Sequence, residues 1–332
     1  MSKSPNYTPS DRDELRISMS HTSAPSSDRV VDPFVHAALL YEGATGFLDG
    51  TMKFIYEGFS LDEPTAVAAP PGNVALLRER LGAFADTVRF VDITQAGRNP
   101  GRLIPWVLSR FMDDHPGRRV RIVGEPIWVG RSPEEYPACV QHEAMVNVAF
   151  AGREASILCP YDVSRLDQRA IADSHATHPV MADDTGRFPS GAYDPYGITD
   201  TYNLPLSEPP PGATTMRFEL AGLVDVRRRV AEAGLDAELP ADRIVDLQSA
   251  VNELATNSIQ HAGGSGTLRT WYDDERVVCE VRDFGHITDL LIGRLRPPDG
   301  RGRGLVMVHF LADLVQRHTS ATGTTTRVHM LR

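Results

Sequence analysis

The chain has 332 residues, 41% of them hydrophobic, and a formal charge of −10, which suits two domain cores and argues against a nucleic-acid binder. No apolar run reaches the roughly eighteen residues of a membrane helix, and the first thirty residues hold no apolar stretch of a secretory leader, so a cytoplasmic protein is expected. Cys139, Cys159 and Cys279 show neither C-x-x-C nor paired spacing and are expected as buried free thiols.

Residues 1–30 lack hydrophobic periodicity and are expected to form a disordered tail. From Phe34 onward short apolar strands alternate with helices. Helices are predicted over Gly46–Phe59, Gly72–Leu81, Arg102–Asp113, Glu134–Phe150 and Ser164–Ser174, and strands over Thr65–Ala69, Val88–Ile93, Arg119–Val123 and Ser156–Cys159. This alternation predicts one α/β domain over 31–181, with a parallel sheet covered on both faces. The layout suggests a RecA-like nucleoside triphosphatase, but the turn Ala68–Val74, where a phosphate loop is expected, has no G-K-[ST].

Several polar residues of this half have two readings. His142, Glu143 and Asn147 suit a helix face, and His175 and His178 suit a helix end or an H-x-x-H metal pair for which the sequence offers no further ligand. His36 and Tyr41 fit core residues or ligand contacts equally. Residues 182–215 are rich in proline and glycine and are expected to be an extended linker without helix or central strand.

The C-terminal part, 216–332, is organised around one helix. After a strand over Met216–Leu220 and a helix over Leu223–Gly234, Pro240 begins a helix that Gly263-Gly264 ends. Its apolar face is Ile244, Leu247, Val251, Leu254 and Ile259. Glu253 and Asn257 stand four apart on another face, about 40° of rotation and one turn from each other. A polar face turned to solvent fits this spacing, and so does a carboxylate that polarises a hydroxyl beside an amide that holds a hard cation. Downstream, a strand over Arg276–Arg282 leads to Asp283-Phe-Gly285. Gly300-Arg-Gly302-Arg-Gly304-Leu305 opens a helix predicted to run to Val315, and Gly323-Thr-Thr-Thr-Arg-Val begins a last strand. Glycines ahead of a helix let phosphate oxygens approach its N-terminus closely.

With these four elements in order, 216–332 resembles a Bergerat-fold (GHKL) ATP-binding domain, an α+β sandwich, and within it the RsbW-like anti-sigma factor serine/threonine kinases. No helical hairpin with a phospho-accepting histidine fits between Pro211 and Glu253, and the lid from Gly285 to Gly300 is short. The resemblance implies ATP and Mg²⁺ as cofactors, Glu253 as general base and Asn257 as metal ligand. It implies Asp283 on the adenine amino group, Gly285 beside the base, Gly300, Gly302 and Gly304 at the phosphates, and Thr324 near the adenine. The usual D-x-G-x-G departs here, with Ile287 in place of the second glycine. The N-terminal half resembles the MEDS sensory domain, a RecA-related module without a phosphate loop, through His36-Ala-Ala-Leu-Leu-Tyr41, Gly46-Phe-Leu-Asp-Gly50 and Leu158-Cys-Pro-Tyr-Asp162. That implies sensing of a small organic ligand. The expected function is therefore a sensor-gated kinase and anti-sigma factor whose partners are a sigma factor and an anti-anti-sigma (STAS) protein. Neither direct nucleic-acid nor membrane contact is expected, and kinases of this type usually form homodimers. The alternative is an ATP-dependent docking module without transfer, and an ATPase machine fits least.

Overall fold

A strand from the start of the described chain, β1 (Val35–Tyr41), lies inside the N-terminal sheet between strands that come much later. The computed structural model describes residues 32–296 and 302–332, so the tail expected over 1–30 and Gly300 lie outside the described residues. The chain continues through α1 (Gly43–Ser60), β2 (Thr65–Ala69), α2 (Pro71–Leu81), β3 (Val88–Asp92) and the short α3 (Ile93–Ala96) and α4 (Ser109–Asp113). Then follow β4 (Val120–Gly124), α5 (Tyr136–Phe150), β5 (Ala155–Asp162), α6 (Gln168–Thr177), β6 (Val180–Asp183) and β7 (Gly186–Pro189). The strand order is β3-β2-β4-β5-β1-β6-β7, parallel except for the edge strand β7.

Period-2 alternation divides this sheet's residues between two cores. Ala38 packs with Ile122, Phe150 and Ile157 on one face, while its neighbours Ala37 and Leu39 pack with Phe47, Ile55 and Leu77 on the other. Every residue of β2, β4 and β5 is buried, as a sheet covered on both faces requires.

Two stretches differ from expectation. The helix predicted over Arg102–Asp113 is a 3₁₀ turn, then a π-helical segment over Leu103–Leu108, then α4. Pro105 has no amide hydrogen for the α-helical ladder, and its ring crowds the carbonyl four residues back. The proline-rich segment 182–215 is not simply extended either. It contains β7 and α7 (Pro195–Thr201). Proline is tolerated at both places: Pro189 ends an edge strand, and Pro195 fills the first helical position behind Asp194, whose carboxylate accepts from Gly197 N at 2.9 Å.

Near the carboxyl ends of β1, β2, β4 and β5, the buried Tyr41, Glu125 and Asp162 gather beside Asn73. Burial pushes the Glu125 carboxyl up to about 7, against the opposing hydrogen bond from Asn73 Nδ2 at 2.8 Å. A carboxyl that binds its proton more tightly when folded loses stability as pH rises from about 4.5 through about 7. Glu125→Gln is expected to flatten that part of the curve. Urea midpoints measured across this range test it, and equal slopes in variant and wild type would refute the assignment.

The C-terminal sheet is antiparallel throughout. It is built from β8 (Thr214–Glu219), β9 (Ser265–Tyr272), β10 (Arg276–Asp283), β11 (Leu314–Ser320) and β12 (Gly323–Leu331), in the order β11-β12-β10-β9-β8. Helices α8 (Leu223–Asp236) and α9 (Ala241–His261) cover one face, where Val230, Leu247 and Val251 meet Leu268, Cys279 and Val328. The helix predicted to run to Val315 stops at Leu311 as α10 (Gly304–Leu311). Asp313 breaks it by taking β-sheet partners: its N–H donates to His329 O at 3.0 Å and its carboxylate accepts from Leu331 N at 2.9 Å. No helix among the described residues is long and apolar enough to cross a membrane.

Candidate nucleotide site

Helix α9 presents its apolar stripe to the sheet, and this turns Glu253 and Asn257 toward the start of α10. Both are only partly buried. The contact is close: a Cβ on Gly304 would run into Glu253 Oε2 and come within 3.8 Å of Asn257 Nδ2. Gly302, just ahead, has φ +69°, a left-handed conformation that favours glycine. The two glycines therefore let the α9 carboxylate and amide stand directly against the N-terminal end of α10.

Asp283 approaches the same space from the end of β10. Its Oδ2 accepts from Ser258 Oγ at 2.5 Å and its Oδ1 from Gly285 N at 2.9 Å, which fixes the carboxylate while leaving lone pairs free. Opposite it in the β10–β12 ladder stands Thr324, whose hydroxyl donates to Gly285 O at 2.8 Å. Thr319 Oγ1 lies 2.9 Å from Thr324 Oγ1 and accepts from Ile287 N at 3.3 Å. Thr324 thus shapes the loop after Asp283. Ile287, in place of the second glycine, lines the cavity instead of opening it.

These groups surround one cavity of about 330 Å³, lined by Asn257, Asp283, Gly285, Gly302, Gly304 and Thr324 with the apolar Leu254, Val281, Ile292 and Leu305. That volume lies in the range of about 300–1,000 Å³ typical of small-molecule pockets. Glu253 is not among the lining residues and stands against Gly304. A phosphate-bearing ligand with a flat apolar end fits this donor set, because a glycine-opened helix N-terminus lies at one end and a fixed carboxylate among apolar side chains at the other. Ser258 and Thr319 escaped the sequence reading. Ser258 reads there only as one more residue of an amphipathic helix.

The chain ahead of residue 216 grips this site at two points. Asn99 Nδ2 donates to His309 O at 2.9 Å and Ala312 O at 3.3 Å, and Arg102 donates to the same carbonyls at 3.1 and 2.7 Å. These are the carbonyls that α10 leaves without helical partners. The rings of Trp106 and Phe310 lie 4.7 Å apart beside them. Behind the loop, Asn203 exchanges hydrogen bonds with the Thr319 backbone at 2.8 and 3.0 Å.

The arrangement is a cleft on an antiparallel sheet backed by helices. Residues 216–330 match the family described as "Histidine kinase-like ATPase domain", and residues 35–179 match "MEDS: MEthanogen/methylotroph, DcmR Sensory domain". The chain therefore joins a MEDS domain to a histidine kinase-like ATPase domain, and the second match implies ATP as ligand. Among solved structures, the chain is similar to the RsbU and RsbW domains of Rv1364c from Mycobacterium tuberculosis, with 18% identity and a TM-score of 0.28. That match covers 37% of this chain and 33% of the other, so the chain spans about a third of that relative's length. No curated protein matches the chain.

Proposed function

We propose that this chain is a sensor-gated protein serine kinase of the anti-sigma type, which binds ATP–Mg²⁺ between α9 and α10. The observation that carries the reading is the joint approach of Glu253 and Asn257 to the glycine-rich start of α10, with Asp283 held at the other end of the same cavity. Asn257 would hold the Mg²⁺ through its amide oxygen, and the backbone around Gly300, Gly302 and Gly304 would receive the phosphates. Asp283 would accept from the adenine amino group. Glu253 would take the proton of a serine hydroxyl on an anti-anti-sigma partner. When bound, ATP supplies the phosphoryl group and Mg²⁺ offsets its charge. A sigma factor would be the second partner, and a homodimer the working form.

The test is transfer of labelled phosphate from ATP to a serine of a STAS-type protein by the full chain, dependent on Mg²⁺. Ile287 in the adenine loop favours one second reading, a docking module in which ATP orders the loop without transfer. ATP-dependent capture of a sigma factor with no labelled serine would select it.

Gating would run through the grip on α10. A small organic ligand in the MEDS domain would act on the ATPase cleft through Asn99 and Arg102. Removing both side chains leaves carbonyls short of partners, at about 1–3 kcal/mol for each buried group. The double variant Asn99→Ala/Arg102→Ala is expected to change ATP affinity several-fold, as read by calorimetry. An affinity equal to wild type would remove this contact from the gating.

A further inference from the structure

We propose a second site, unrelated to the nucleotide: a divalent transition-metal centre of the zinc class inside the N-terminal domain. His36 on β1, Glu143 on α5, Cys159 on β5 and His178 at the end of α6 are all buried, and each brings one donor atom to within 4.8 Å of every other. His36 Nε2 and His178 Nε2 both lie 3.2 Å from Glu143 Oε2. Cys159 Sγ lies 3.3 Å from His36 Nε2 and 3.5 Å from Glu143 Oε2. A tetrahedral zinc with bonds of about 2.1 Å has ligand–ligand edges of about 3.4 Å, and these four separations of 3.2–3.5 Å stand near that spacing.

The outer contacts point the same way. Asn147 donates its Nδ2 to Thr177 O at 2.7 Å, which turns its Oδ1 to accept from His36 Nδ1 at 3.1 Å. His178 Nδ1 donates to Ser174 O at 2.9 Å. Both Nε2 atoms face the Glu143 oxygen. This is the arrangement by which metal-binding histidines are oriented. Glu143 has no Lys or Arg partner among the described residues; its ion-pair contacts are these two histidines. A carboxylate buried this deeply is either paired or coordinates a metal.

A cavity of about 20 Å³ borders His36, Glu143 and Cys159, enough for one water or one further small ligand. Its apolar wall includes Leu103, Val107 and Leu108 of the π-helical segment that follows Asn99 and Arg102. The centre thus lies beside the segment that grips α10.

The experiment uses the full chain, stripped with a chelator, equilibrated with Zn²⁺ or Co²⁺ and desalted. One metal per chain is expected, with X-ray absorption showing one sulfur among nitrogen and oxygen neighbours. The Co²⁺ form is expected to show intense tetrahedral d–d bands and a thiolate charge-transfer band. Cys159→Ser should lose the charge-transfer band, and His178→Gln should lose most of the metal. A folded wild-type chain that retains neither ion overturns the proposal, as does a charge-transfer band that survives in Cys159→Ser. Should either variant fail to fold, the wild-type stoichiometry and absorption spectrum decide the matter by themselves.

Discussion

Glu253→Ala is expected to lower phosphate transfer to the partner serine by about 10²–10⁴-fold while ATP binding stays within a few-fold of wild type. The asymmetry comes from where the residues stand. Glu253 stands against the start of α10, one helical turn from Asn257 and outside the cavity lining, so its carboxylate lies toward the end where phosphates would lie. The other end is built without it: Asp283 takes its orientation from Ser258 and Gly285, and Gly285 from Thr324. On the proposed roles, removing Glu253 would take away a proton acceptor and leave the nucleotide contacts in place. Asp283→Ala is expected to do the reverse, losing nucleotide affinity and transfer together. Transfer and calorimetric affinity measured on both variants separate the two roles. Undiminished transfer by Glu253→Ala would exclude it as the base, whatever happens to binding.

What the sequence announces here is what local chemistry controls. The ends of β2 and α9 follow from proline, glycine and apolar periodicity alone, and the motifs around Glu253, Asp283 and Gly302 are close enough in sequence to be read in order. Boundaries set by distant partners are not announced. Asp313 ends α10 because His329 and Leu331 are there to pair with it, and β9 forms because β8 and β10 flank it. The buried cluster of the N-terminal domain shows the limit most clearly. H-x-x-H suggests His175 and His178 as a pair, yet only His178 belongs. Its companions come from residues 36, 143 and 159, brought together by a parallel sheet that places β1 beside β5. Helix spacing reveals neighbours within a turn, and only the strand order reveals these.

The second large effect is expected at Glu280 and Arg327, which hold the register on which the nucleotide site depends. They are opposed on β10 and β12, and three residues further along the same ladder Asp283 is opposed to Thr324. A slip of one residue would turn every side chain to the other face and separate the two site residues. The pair is buried, with side-chain exposures of 3% and 6%, and Arg327 reaches Glu280 Oε2 through Nη2 at 2.7 Å and Nε at 3.0 Å. Arg327 also binds Ser207, so the connector covers this face of the sheet. Glu280→Ala would leave the guanidinium buried beside an empty position, which costs about 3–5 kcal/mol, whereas replacing both partners with apolar residues of similar size is often near neutral. Glu280→Ala is therefore expected to unfold at markedly lower urea concentration and to bind ATP weakly. The double variant Glu280→Leu/Arg327→Met is expected to recover most of the stability, with a strongly non-additive cycle. A Glu280→Ala chain within about 0.5 kcal/mol of wild type, the usual range of an inert surface change, would show that backbone pairing alone sets the register.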